Sequence, residues 1–172
     1  MPIERRPARV KDLEAICALQ VASWRRAYRG MVSDAFLGDP VVEVLGKRWA
    51  VLPGGAWVVD CVWQAEDLLG FVSVDRAHEG GPYVDNLHVA YHAQGQGIGR
   101  ALMAGTAAQL VAEGQDSLWL TVIRENHPTR AFYARIGGAE GPAFPERLFG
   151  EPIHALPVRW NDLPALAAFA VV

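Results

Sequence analysis

The chain has 172 residues, 51% of them hydrophobic and 20% charged, with a formal net charge of -3. That length carries one domain with a real core and is short for two, and the composition excludes disorder over most of it. A weakly negative chain supplies no basic field for nucleic acid.

Residues 3–10 alternate loosely between apolar and charged side chains and are expected to form an edge strand. Asp12 is placed to cap a following helix, its carboxylate accepting from free N–H groups of the first turn. Leu13, Ile16, Cys17, Gln20 and Trp24 recur at helical spacing on one face, and Gly30 ends the segment. A second helix is expected with Pro40 near its start and Val41, Leu45 and Trp49 turned inward. Residues 56–63 and 68–75 are β-prone runs joined by a short polar turn, an antiparallel hairpin. After a glycine-containing turn, residues 83–89 read as a strand, 94–99 as a glycine loop and 100–113 as a helix. Crossover through that helix predicts that residues 117–122 run parallel to the 83–89 strand. Asn126 and Pro128 start a further helix that Gly137-Gly138 ends. Residues 142–150, rich in Pro and Gly, read as a loop, 153–160 as the final strand, and 161–172 as an apolar tail, packed on the domain or forming an interface.

Cys17 and Cys61 lie in apolar segments without metal-ligand spacing, as expected of buried thiols in a reducing compartment. His78, His88, His92, His127 and His154 are scattered, so no metal site is expected. No charged, apolar leader opens the sequence and no apolar run nears membrane-spanning length. The expectation is a cytoplasmic protein with neither nucleic acid nor membrane as partner.

The loop Gln94-Gly95-Gln96-Gly97-Ile98-Gly99 feeds a helix whose first turn has unpaired N–H groups and the positive end of the peptide dipole, a setting suited to phosphate. A P-loop requires Gly-Lys-Ser/Thr, whereas Gly99 is followed by Arg100 and Ala101. A dinucleotide fingerprint follows its strand directly, whereas five residues run from Val89 to Gly95 and the third glycine comes one position early. The pattern Gln94-x-x-Gly97-x-Gly99 after a strand ending Leu87-His88-Val89 resembles the pyrophosphate loop of the GNAT superfamily of acyl-CoA-dependent N-acyltransferases. A second matching segment has Asn126 and, seven residues on, Tyr133.

The resemblance covers roughly residues 8–160 and implies a single-domain α/β (α+β) fold over residues 1–172, with its core at about 3–160. Such a fold has a central mixed, mostly antiparallel sheet flanked by helices, and a splayed parallel strand pair at the acyl-CoA site. It implies acetyl-CoA as co-substrate and no metal. Backbone amides of Gly95, Gln96, Gly97, Ile98 and Gly99 would hold the pyrophosphate, with side-chain contacts from Gln94 and Arg100. Backbone groups of Leu87, His88 and Val89 would bind the pantetheine arm, which Asn126 would also touch.

Catalysis then requires a proton for the departing thiolate, and Tyr133 is the candidate acid; the other reading is a core aromatic beside Phe132. Many members carry a glutamate where this chain has Tyr83. Asp85, two residues along the same strand face, is therefore the candidate base or ammonium anchor, against a solvated surface carboxylate or a water relay. His88 falls on the opposite face and would reach the amine only through a bulge. Trp24 and Tyr28 have two readings, core aromatics or, with Tyr83, walls of the acceptor site. The implied function is acetyl transfer to a primary amine, small molecule or peptide, by direct attack in a ternary complex. A non-catalytic acyl-CoA-binding or regulatory module is the alternative, a nicotinamide oxidoreductase a distant third, and a homodimer through the last strand or the tail is a further expectation.

Overall fold

A computed structural model describes residues 1–169. The elements run β1 (Ile3–Pro7), α1 (Leu13–Ala27), α2 (Asp39–Arg48), β2 (Trp57–Gln64), β3 (Asp67–Asp75), β4 (Tyr83–Val89), α3 (Ile98–Ala112), β5 (Leu118–Ile123), α4 (His127–Arg135), β6 (Ala139–Glu140), β7 (Phe144–Leu148), β8 (Glu151–Trp160) and α5 (Leu163–Ala167). The strands form one sheet in the order β1-β2-β3-β4-β5-β8-β6, with β7 also paired to β8. Every strand pair is antiparallel except β4 with β5, where the crossover through α3 makes the strands parallel. That parallel pair meets only at Tyr83 and Trp119 and then splays apart.

Helix α3 covers one sheet face. Leu102, Met103, Ala107 and Leu110 are fully buried against Val72, Val84, Leu118, Leu120 and Val158, and each large side chain contributes about 1.5–3 kcal/mol of apolar burial. On the other face, Ile16 of α1 and Trp49 beyond α2 pack on Phe71, Val59 and Cys61. A third cluster joins Trp24 to Phe36, Leu37, Val41 and Leu45. The N-terminus of α3 lies close to β3 because residue 70 is glycine: a Cβ there would sit 2.9 Å from the His88 carbonyl and 3.1 Å from Ile98 Cγ2.

Four expectations are corrected. Asp12 does not cap α1; its buried carboxylate accepts from the Arg9 backbone N–H at 2.7 Å and from the Arg6 guanidinium at 2.7 and 3.0 Å. Residues 142–150 are not a loop, because β7 pairs along β8 from Phe144↔Ala155 to Leu148↔Glu151. Its Pro145 is tolerated because β7 has a neighbour on one side only. Strand β8 therefore starts at Glu151. It lies between β5 and the β6 and β7 strands. Finally, α3 begins at Ile98, which places Ile98 and Gly99 in the helix's first turn. Within the expected apolar tail, Leu163 and Leu166 of α5 are buried in the α3 core; its last three residues lie outside the described ones.

Candidate active site

Gly97 has φ +82°, a left-handed conformation that favours glycine, and serves as the N-cap of α3. The first helical hydrogen bond runs from the Ala101 N–H to the Gly97 carbonyl at 2.9 Å. The six successive amides from Gly95 to Arg100 consequently have no acceptor among the described residues. A row of N–H donors at the positive end of a helix is an anion cradle. The side chains of Gln94 and Gln96 brace the loop, donating to the carbonyls of Val89 at 3.4 Å and His92 at 3.0 Å.

Beyond the loop the β4–β5 splay leaves backbone groups of β4 without a strand partner on that side. Tyr83 closes the far end of the gap. Its hydroxyl hydrogen-bonds the Thr121 hydroxyl at 2.9 Å, and its ring stacks on His78 and meets Trp119 edge-on. Burial raises the Tyr83 phenol above its ordinary pKa.

Opposite β3 the register steps from Ser73↔Asn86 to Val74↔Val84, so Asp85 is an extra, bulged residue. This bulge corrects the face assignment made from period-two alternation. Asp85 and His88 both point toward the α1–α2 side: Asp85 pairs with Arg48 of α2 at 3.0 Å, and His88 Nδ1 hydrogen-bonds Ser23 Oγ of α1 at 2.8 Å. Val84 is buried in the α3 core, and Leu87 and Val89 pack against it. Burial lowers the His88 pKa to about 4, so the imidazole is neutral at physiological pH.

A buried amide network sets the bulge. Gln20 of α1 donates to Asn86 Oδ1 at 2.6 Å and accepts from Trp49 Nε1 at 2.6 Å. Asn86 in turn donates to Ser73 Oγ at 3.0 Å and to the Asp85 carboxylate at 2.7 Å.

From the other wall, Asn126 caps α4 with its backbone carbonyl accepting from the Arg130 N–H at 3.0 Å. The residue is buried and lines the cavity. Tyr133, on the same helix, is buried between Phe132 and Trp160. Burial foremost, then the neighbouring phenols of Tyr28 and Tyr83, raises its pKa and keeps it protonated.

The remaining wall is aromatic. Trp24 packs against Tyr28 at 5.2 Å and Phe149 at 5.9 Å, and burial pushes the Tyr28 phenol up to about 12. Phe149 occupies the two-residue turn between β7 and β8 with φ +46°, followed by Gly150 at φ +89°. A non-glycine residue in this conformation costs roughly 1–2 kcal/mol, yet its ring is half exposed at the cavity rim.

These walls enclose a cavity of about 1210 Å³. Among its lining residues are Trp24, Tyr28, Tyr83, Asp85, Leu87, His88, Val89, Gln94, Gly95, Gln96, Gly97, Ile98, Gly99, Arg100, Asn126 and Tyr133, every position singled out from the sequence. Sequence reading missed Ser23, Arg48, Phe149 and Glu146, which also line it. Glu146 and Phe149 lie in the 142–150 segment, expected as a whole to border the acceptor pocket, and Arg48 carried a signal as a cation on the inward-facing helix before Trp49.

Fold and site together form a glycine loop and a splayed strand pair bordering one cavity. The chain belongs to the GNAT acetyltransferase family, whose pattern, described as Acetyltransferase (GNAT) family, matches residues 15–138. It is similar to an uncharacterized N-acetyltransferase, YuaI, of Bacillus subtilis (strain 168), with 27% identity over 170 residues that span 94% of each chain. In fold it is similar to the PaiA N-acetyltransferase of Thermoplasma acidophilum, solved with coenzyme A (TM-score 0.73, 19% identity, 90% of this chain and 98% of that one). The same holds for Arabidopsis thaliana NAA60, solved with a bisubstrate analogue (TM-score 0.68, 19% identity, 92% and 97%).

Proposed function

We propose that the protein transfers an acetyl group from acetyl-CoA to a primary amine by direct attack within a ternary complex. One observation carries this reading: the six unpartnered amides of Gly95 to Arg100 and the open backbone edge of β4 lead into the same cavity as Tyr133. The cradle fits a pyrophosphate, and the free β4 edge fits an arm carrying amides, which binds like an added strand. Acetyl-CoA, when bound, supplies the activated acetyl thioester.

The chain's own groups do the rest. Backbone amides of the loop hold the phosphates, with Arg100 beside them, and β4 backbone groups around Leu87, His88 and Val89 align the arm that Asn126 also contacts. An N–H near Val89 stabilises charge developing on the carbonyl oxygen, a contribution of roughly 3–4 kcal/mol for one preorganised donor. Tyr133 gives its phenolic proton to the departing sulfur. Asp85 draws the ammonium form of the acceptor to the cavity and takes its proton, directly or through water. Trp24, Tyr28 and Tyr83 form the acceptor walls. A cytoplasmic, reducing location is part of the proposal and is supported by the free thiols Cys17 and Cys61.

The test is calorimetric titration with acetyl-CoA, using NADH and ATP as controls, followed by an amine screen read as thiol release. Saturable binding selective for acetyl-CoA and abolished by Gly97→Glu, together with amine-dependent thiol release, is expected. Absence of binding at millimolar acetyl-CoA refutes the reading.

A further inference from the structure

Three features of the acceptor end describe what it receives. The first is Glu146. On β7 it shares a face with Leu148, and Leu148 packs against the cluster around Trp24. Its carboxylate therefore faces the cavity, and it lines that cavity together with Tyr83, whose phenol its charge helps to raise. Among the described residues Glu146 has no cationic partner; its hydrogen bond comes from the Arg147 backbone N–H at 3.0 Å. Of the four arginines that line the cavity, two are committed elsewhere. Arg48 is paired with Asp85, and Arg147, on the opposite strand face, donates to the Gly150 carbonyl at 2.8 Å. Glu146 is solvent-exposed, and a carboxylate on a cavity wall without a cationic partner among the described residues is open to a cation from a ligand.

The second feature is Phe149, a residue 54% exposed, with a left-handed backbone and a ring packed against Trp24. An exposed aromatic face beside a carboxylate is a receptor for ammonium. The third is an apolar stretch of lining, Leu45, Leu148 and Ile153 of the cluster around Trp24, which suits a hydrocarbon chain. An acceptor bearing a carboxylate, such as an α-amino acid, would place that charge against Glu146.

We propose that the acceptor is an aliphatic di- or polyamine, with the nitrogen to be acetylated directed past Tyr83 and a second ammonium held between Glu146 and the Phe149 ring. This rests on the acetyltransferase reading above and names its substrate class. The nitrogen to be acetylated enters as an ammonium and loses two protons, one to the base before attack and one as the amide forms, the latter replacing the proton that Tyr133 gives the departing thiolate; the second nitrogen keeps its charge throughout.

The experiment compares kcat/KM for an aliphatic diamine, the monoamine of equal chain length and an α-amino acid, by thiol release at saturating acetyl-CoA. A charge-assisted contact made only by the diamine predicts a preference of about 10- to 100-fold over the monoamine. In Glu146→Gln that ratio falls to within about threefold through a rise in the diamine KM, and Phe149→Leu raises the same KM several-fold. Acetyl-CoA affinity, read by calorimetry, is the same in all three proteins. Equal use of monoamine and diamine, preference for the amino acid, or an unchanged ratio in Glu146→Gln overturns the inference alone. Binding of acetyl-CoA with no amine of any class acetylated refutes the acetyltransferase reading, and this inference with it.

Discussion

Replacing Gln20 with leucine tests how the β4 bulge is held. Gln20 is 1% exposed and bridges α1 to both the segment after α2 and the bulge of β4. Leucine has nearly the same volume, so the change opens little cavity; its effect is polar. It strands two buried partners at once, the Trp49 indole N–H and the Asn86 carbonyl oxygen, both bonded to Gln20 at 2.6 Å. Each orphaned group costs about 1–3 kcal/mol, partly offset by the more apolar side chain, so the expected loss is about 3 kcal/mol. In a domain of this size that lowers Tm by about 6–12 °C. Differential scanning calorimetry and urea unfolding measure it, with Gln20→Glu as a second variant that keeps an acceptor for Trp49 but loses the donor to Asn86. Because Asn86 also holds the Asp85 carboxylate, turnover of Gln20→Leu at a temperature where it is folded is expected to fall as well. A Tm within about 2 °C of the parent protein would falsify the view that this network sets the bulge.

Three further outcomes are expected. Tyr133→Phe lowers kcat by roughly 100-fold or more, the scale of a positioned general acid, while acetyl-CoA affinity measured by calorimetry is unchanged; an unaltered rate removes Tyr133 from the reaction. The His88 pKa, lowered by burial from 6.5 to about 4, means the unfolded chain binds its proton first, so this group's contribution to stability rises with pH from about 4 to 6.5 and is lost as pH falls through that window. Urea unfolding should thus show about 2 kcal/mol less stability at pH 5 than at pH 7 from this source, a difference that shrinks in His88→Gln; equal pH slopes in both proteins rule it out. In Gly105→Ala, the new Cβ would lie 1.2 Å from the present position of Arg5 Nη1, driving Arg5 off Asp60, which is 3% exposed and would keep only Gln109 at 3.3 Å. Against a helix-propensity gain of about 1 kcal/mol, leaving the Asp60 carboxylate without its cation costs about 1.5–3 kcal/mol, a net destabilisation of about 1–2 kcal/mol, and a variant as stable as the parent in urea would show that Arg5 swings out freely.

Much of the site could be read without coordinates because its chemistry is local. A glycine loop running into a helix start dictates free amides wherever that segment lies, since φ of Gly97 and the missing i−4 acceptors depend on neighbours within a few residues. The strand Tyr83–Val89 and the helix His127–Arg135, which carry the β4 backbone edge and Tyr133, were legible from period and from Pro and Gly placement for the same reason.

What depends on partners distant in sequence was decided only by the tertiary structure. Alternation with period two assumes an unbroken ladder, and the bulge that turns Asp85 and His88 to one side exists because β3 pairs with β4 out of step. Whether Asp85 meets a cation is settled by Arg48, 37 residues away. A Pro- and Gly-rich stretch such as 142–150 looks like a loop by composition, and it becomes strand β7 because β8 offers it a row of backbone partners. That pairing brings Glu146 and Phe149 to the cavity. The sequence by itself determined the glycine loop with its free amides and the family of fold, since short-range backbone geometry encodes both; the cavity wall formed by β7 was decided by long-range strand pairing, whose register no local stretch specifies.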